Sequence, residues 1–304
     1  MDPTPSTDQI SFELPHLFRI FHSGRIDRLI GTQIVPPSTD PQSGVQSKDV
    51  LISPQSGLSA RIFLPRITDP TRKLPLLVFI HGGAFCVETP FSPQYHNHVA
   101  ALSAEANAVA LSVDYRRAPE HPLPAAYDDA WEAAKWAAAH FDGDGPEAWL
   151  NDHADFGRIF VAGDSAGANI AHYVVRRAGV DGLGQVRIVG LVAFHPFFGD
   201  DGHNKLLEIV FPTNGGSGDP RLNPGSDPEL ASLGCEKVLV LVAEKDFLRE
   251  RGWAYYEAVK KSGWGGKLEI VETEDEGHVF HLHNPTCDKA VALMKKVVSF
   301  LSEK

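Results

Sequence analysis

Gly163-Asp164-Ser165-Ala166-Gly167 sets a serine between two glycines, with an apolar run before it and a helical pattern after it. A strand-to-helix turn this tight strains the serine backbone, and side chains at 163 and 167 would collide with the neighbouring strand and helix. The hydroxyl then stands above the end of a strand, beside helix N–H groups that favour developing negative charge. That is a pattern for nucleophilic acyl chemistry. His81-Gly82-Gly83-Ala84-Phe85 closes another buried run. Consecutive glycines let the backbone amides of such a loop turn inward to hold a tetrahedral oxyanion, although an ordinary strand-ending turn has the same composition. His81 is read as a brace for this loop, not as a base.

A serine hydroxyl needs a base to take its proton, and the base needs an acid to fix its tautomer, in the chain order Ser, Asp or Glu, His on this architecture. Glu244-Lys245-Asp246 follows the apolar run 238–243, and Glu274-Asp275-Glu276-Gly277-His278 follows 269–273. Asp246 and His278 therefore project from the same sheet edge as Ser165, where the crevices of open α/β sheets lie. Glu244 is a rival acid. His195 ends a run on that edge but breaks the order, and is placed at the pocket wall; His281 and His283 are read as packing or exposed.

To position these residues the chain needs strands, expected at 49–53, 59–64, 76–81, 108–114, 158–163, 189–195, 238–243 and 269–273. Several are apolar without alternation, as strands covered on both faces are. The first two read as an antiparallel hairpin and the rest as right-handed crossovers in a mainly parallel sheet. Helices are expected at 93–106, 125–140, 166–178, 249–262 and 285–301, and loops at 143–145, 214–218 and 223–228. Residues 12–30 carry Phe18, Phe21, Arg25 and Arg28 at helical spacing before Pro36-Pro37 ends the pattern. This predicts a helical arm over 1–45 on a body of 46–304, with Phe12, Leu17, Phe18 and Phe21 facing inward.

The 304 residues hold 28 basic and 39 acidic side chains, a formal charge of −11 that repels polyphosphate and anionic headgroups and argues against nucleic-acid binding. Apolar residues at 43% and charged ones at 22% exclude wholesale disorder. No stretch approaches the roughly eighteen apolar residues of a bilayer span, and the first residues carry no leader pattern, so a soluble cytoplasmic protein is expected. Cys86, Cys235 and Cys287 have neither disulfide-framework nor metal spacing and read as small buried hydrophobes.

With His81–Phe85 and Gly163–Asn169, the stretch Asp114-Tyr115-Arg116-Arg117-Ala118-Pro119-Glu120-His121-Pro122-Leu123-Pro124 and its continuation to Asp129 resembles the plant carboxylesterases of the hormone-sensitive-lipase group. Ser23-Gly24-Arg25, Ser47-Lys48-Asp49-Val50 and Gly277-His278-Val279-Phe280-His281-Leu282 extend the resemblance over nearly the whole chain. It implies an α/β-hydrolase fold: a mostly parallel eight-stranded sheet flanked by helices, with an N-terminal helical cap. It also implies Ser165 as nucleophile, His278 as base, Asp246 as acid and the amides of Gly82, Gly83 and Ala166 as oxyanion hole. The substrate implied is a small, neutral ester, with no metal, cofactor or membrane required. Asp164 would brace loops near the site. The group also embraces 2-hydroxyisoflavanone dehydratases, in which the same site serves elimination, and gibberellin receptors, which replace the histidine that this chain keeps. Two departures stand out. Ala84 replaces the third glycine of the usual loop, and 198–223 is shorter than in relatives, where it helps to roof the pocket.

Overall fold

The computed structural model describes residues 8–199, 205–213 and 218–303. Eight strands form the main sheet: β4 (Gln46–Ser53), β5 (Leu58–Leu64), β6 (Leu74–Ile80), β7 (Val109–Asp114), β8 (Ala154–Asp164), β9 (Ile188–Phe194), β10 (Lys237–Ala243) and β11 (Lys267–Thr273). Their spatial order is β11-β10-β9-β8-β6-β7-β5-β4. The hairpin β4–β5 and the β5–β7 pair are antiparallel and every other pair is parallel. All eight expected strands are present, β8 starting four residues earlier than its apolar run.

The apolar runs carry no alternation because both faces are covered. Val238, Val240 and Val242 of β10 join one core cluster, while Leu239, Leu241 and Ala243 join the other. The first is closed by α2 (Ala125–Ala138), α4 (Ala166–Asp181) and α6 (Arg249–Lys261), and the second by α1 (Pro93–Ala106) and α8 (Asp288–Ser302). Three short helices were not expected: α3 (Ala148–His153), α5 (Lys205–Val210) and α7 (Phe280–His283). Each is too short to show a helical period. Of the segment 198–223, α5 buries Leu207 and Val210, and 200–204 lie outside the described residues. The loop expected at 214–218 falls outside them too, except for Gly218, as do residues 1–7.

The N-terminal arm corrects the expectation of a helix. It is a three-stranded antiparallel sheet of β1 (Ile10–Leu14), β2 (Phe18–Phe21) and β3 (Ile26–Arg28). Phe12 and Leu14 alternate with exposed Ser11 and Glu13, a period of two that the spacing of the aromatic and basic residues masks. Both turns use left-handed backbone, His16 at φ 67° and Gly24 at φ 82°. Phe18 is fully buried, and Phe12 and Leu17 pack beside it on the core, as the inner-face expectation has it. Phe21 instead lies under the Arg25 guanidinium, 3.9 Å from the ring centre.

Arg28, the last residue of β3, fastens the arm to the loop after β6. Its guanidinium donates to the carbonyl of Cys86 at 2.6 Å and to Glu120 at 2.6 and 2.8 Å. Hydrogen bonds from a charged donor contribute about 1.5–3 kcal/mol each at most, so this residue sets how firmly the arm sits. Arg28→Ala should lower unfolding stability by about 1–3 kcal/mol and open the arm to limited proteolysis around β2 and β3; an unchanged cleavage pattern would show the arm held by packing alone.

Candidate active site

Ser165 separates β8 from α4 with φ 52° and ψ −119°, a conformation rare outside glycine. Its N–H donates to the Phe194 carbonyl at 2.8 Å, and its carbonyl accepts from Phe197 N–H at 3.0 Å. Both flanking glycines are required by contact. A Cβ on Gly163 would lie 2.4 Å from the Gly167 carbonyl oxygen, and one on Gly167 would lie 2.1 Å from that of Ile80.

Asp246 and His278 sit in the loops after β10 and β11, and with Ser165 they form a continuous relay. His278 Nε2 lies 3.0 Å from Ser165 Oγ, and His278 Nδ1 lies 2.9 Å from Asp246 Oδ2. An ionised carboxylate only accepts, so Nδ1 carries the proton and, in the neutral ring, Nε2 is left to accept from the serine hydroxyl. Burial pushes the Asp246 carboxyl up, but hydrogen bonds from His195 and His278 and the amide of Leu248 outweigh it. The group is held well below the ordinary carboxylate range. Phe247, 77% exposed, lies against the His278 ring with 4.9 Å between centres, an aromatic surface at the mouth of the site.

The rivals separate clearly. Glu244 is exposed and accepts from the Asp275 amide, and His283 is exposed. His281 is buried and stacks on Phe194. His195 is no bland wall residue: its Nδ1 lies 2.9 Å from the same oxygen, Asp246 Oδ2, that His278 uses. Sequence order ruled it out as the base, and the order carries no sign that a second imidazole meets the acid. His195, Asp246 and His278 also put ligand-type atoms within 4.8 Å of one another. The two Nδ1 atoms, however, are committed to the carboxylate as hydrogen-bond donors.

The loop 81–87 needs one correction. Gly82, expected among the oxyanion donors, gives its N–H to Asp164 Oδ1 at 2.9 Å, with Tyr95 Oη at 3.0 Å. The Gly83, Ala84 and Ala166 amides have no protein acceptor among the described residues. The amides left free in this loop are thus those of Gly83 and Ala84, one residue on from the expected pair. Gly83 at φ 99° and Ala84 at φ 54° are both left-handed, and a Cβ at 83 would strike the Val87 carbonyl. His81 braces this loop as expected, its ring stacked on Tyr115 at 4.3 Å and its Nδ1 donating to the Gly82 carbonyl at 2.7 Å. Burial drives its pKa down to about 3, so it stays neutral. Asn169 accepts from Tyr127 at 2.7 Å and donates to the carbonyls of Phe197 and Arg221, tying both to the first turn of α4.

The family model of the alpha/beta hydrolase fold matches residues 77–282. The probable carboxylesterase 7 of Arabidopsis thaliana is 46% identical over 312 residues, covering 97% of this chain and 99% of its own. A 2-hydroxyisoflavanone dehydratase of Glycyrrhiza echinata is 41% identical over 98% of both chains. The crystallised esterase of Pyrobaculum calidifontis superposes with a TM-score of 0.70, at 28% identity over 84% of each chain. The chain belongs to the α/β-hydrolase family, within its plant carboxylesterase group. No described helix is long and apolar enough to cross a membrane.

Asp164 ties the two loops together, accepting from Gly82 N–H and from Tyr95 Oη at 2.8 Å. Burial raises its pKa to about 6, against the lowering effect of Tyr95, His278 and the Gly82 amide. Between the ordinary value of 3.8 and about 6, the folded protein keeps a proton that the unfolded chain has lost. Asp164 therefore costs stability progressively as pH rises through that window. Relative to Asp164→Asn, the wild type should lose up to about 3 kcal/mol between about pH 4 and pH 7, read from urea midpoints. A difference independent of pH would mean that Asp164 stays ionised throughout.

Proposed function

We propose that the protein hydrolyses small, neutral carboxylic esters through a covalent acyl-enzyme on Ser165. The observation that carries this is the unbroken relay Ser165–His278–Asp246, with hydrogen bonds of 3.0 and 2.9 Å, beside the free amides of Gly83, Ala84 and Ala166. Ser165 Oγ attacks the carbonyl carbon while His278 Nε2 takes its proton, and Asp246 stabilises the imidazolium that forms. The carbonyl oxygen becomes an oxyanion that the three amides receive. The intermediate collapses, and His278 returns the proton to the leaving alcohol. Water, activated by the same imidazole, then attacks the acyl-enzyme and releases the acid. No step calls for a metal ion or cofactor, and the chain's charge of −11 suits a substrate it does not repel.

The dehydratase relative supports a second reading, in which His278 removes a proton next to a carbonyl, the amides hold the enolate oxygen, and hydroxide leaves as water. The fold does not choose between these reactions; what the pocket sets against the base does. Product analysis with an aryl ester and with a 2-hydroxyisoflavanone separates them.

With a short p-nitrophenyl ester, Ser165→Ala and His278→Ala should each lose about a thousandfold or more in kcat while keeping the wild-type circular dichroism and unfolding midpoint. Equal rates in all three proteins would overturn the hydrolytic reading.

A further inference from the structure

Asp246 has three donors from three separate loops. His195 Nδ1 and His278 Nδ1 meet Oδ2, each at 2.9 Å, and Leu248 N–H meets Oδ1 at 2.8 Å. Only one of the two imidazoles touches Ser165. The other, His195, is wholly buried and rigidly held. Its backbone is left-handed at φ 46°, its N–H donates to the Leu241 carbonyl at 2.7 Å, and Pro196 follows it. Its ring stacks on His281 at 5.4 Å and meets the edge of Phe280 at 5.8 Å. A non-glycine residue in this conformation is strained, and here the strained residue is the one that reaches the acid.

We propose that His195 is a positioning residue for the triad acid, its Nδ1–H fixing the Asp246 carboxylate in the orientation that His278 must meet. The inference rests on the hydrolytic reading above. Asp246 is ionised and only accepts, so His195 carries its proton on Nδ1 and keeps it throughout the cycle. Burial holds the His195 ring neutral against the opposing pull of Asp246. A second donor on Oδ2 also spreads the carboxylate's charge, which weakens its hold on a proton at His278. Asp164 at the end of β8 and His281 on α7 also interact electrostatically with His278, and neither bonds to Asp246.

Three variants test this. His195→Phe fills the space without a donor, His195→Asn puts an amide N–H near the place of Nδ1, and His195→Gln puts one too far out. With a p-nitrophenyl ester, His195→Phe should lower kcat about tenfold with KM little changed, the size typical of lost supporting hydrogen bonds. The acid limb of its kcat/KM profile should move up by about half a pH unit. His195→Asn should restore most of both, and His195→Gln should not. If the Phe variant does not fold, the Asn–Gln contrast stands by itself. In a Ser165→Ala background, the NMR titration of His278 should shift upward with His195→Gln and not with His195→Asn, a readout that needs no turnover. Failure of the hydrolytic reading would appear separately, as undiminished activity in Ser165→Ala alone. A wild-type kcat and acid limb in His195→Phe, or identical behaviour of Asn and Gln, would overturn the proposal.

Discussion

The Asp246 carboxylate, its side chain 1% exposed, has been taken out of water at a cost of several kcal/mol unless donors surround it. Those donors come from the ends of β9, β10 and β11, so the charge can be kept only if the three strands hold their register. They do: Leu241 pairs with Phe194 on one side and Ala243 with Thr273 on the other. A slip of one residue would turn every side chain of β10 to the opposite face, sending Val240 and Val242 to the wrong core and leaving the acid without its imidazoles. Hydrophobic layering and the electrostatics of the site are in this sense one constraint, because the apolar strand fixes the register and the register delivers the donors.

The nucleophile and the donor loop are coupled in the same way on the other half of the sheet. Ile80 pairs with Gly163, and Gly167 approaches the carbonyls of Ile80 and His81 so closely that a single added carbon would push the two turns apart. Asp164 adds a polar tie by taking Gly82 N–H, and the next two amides of the loop, Gly83 and Ala84, have no acceptor among the described residues. The loop is held from outside by Arg28 on the Cys86 carbonyl, so the N-terminal sheet bears on the geometry of the loop that carries Gly83 and Ala84.

Most of this was legible in the sequence, since buried parallel strands write continuous apolar runs and the chemistry hangs on the loops that follow them. The glycine spacing around Ser165 and the strand-end positions of Asp246 and His278 put three distant residues on one edge. What stayed hidden depended on partners. The arm reads as a helix in the sequence because Phe18, Phe21, Arg25 and Arg28 fall at helical spacing, while the alternation of Phe12 and Leu14 with Ser11 and Glu13 is short. Gly82 reads as a free donor because no local pattern says that Asp164, more than eighty residues away, takes its amide. His195 lay on the correct edge, and only coordinates show that its ring turns to Asp246.

Among fourteen histidines, the choice of base comes down to two requirements that burial sets against each other. The imidazole must gain a proton in mid-reaction, which needs an anionic partner, and it must reach both substrate and water. His281 is buried with neither ring nitrogen bonded to a partner among the described residues, and burial forces it to stay neutral. His81 has only backbone carbonyl to bond and is neutral for the same reason. His195 has the anion but no exposed surface. Of these four, His278 combines the anion with an open side, its side chain 19% exposed. The rule that the histidine comes last in the chain is therefore a consequence of topology: in this sheet, the loop after β11 is where a residue touches the acid and still reaches solvent.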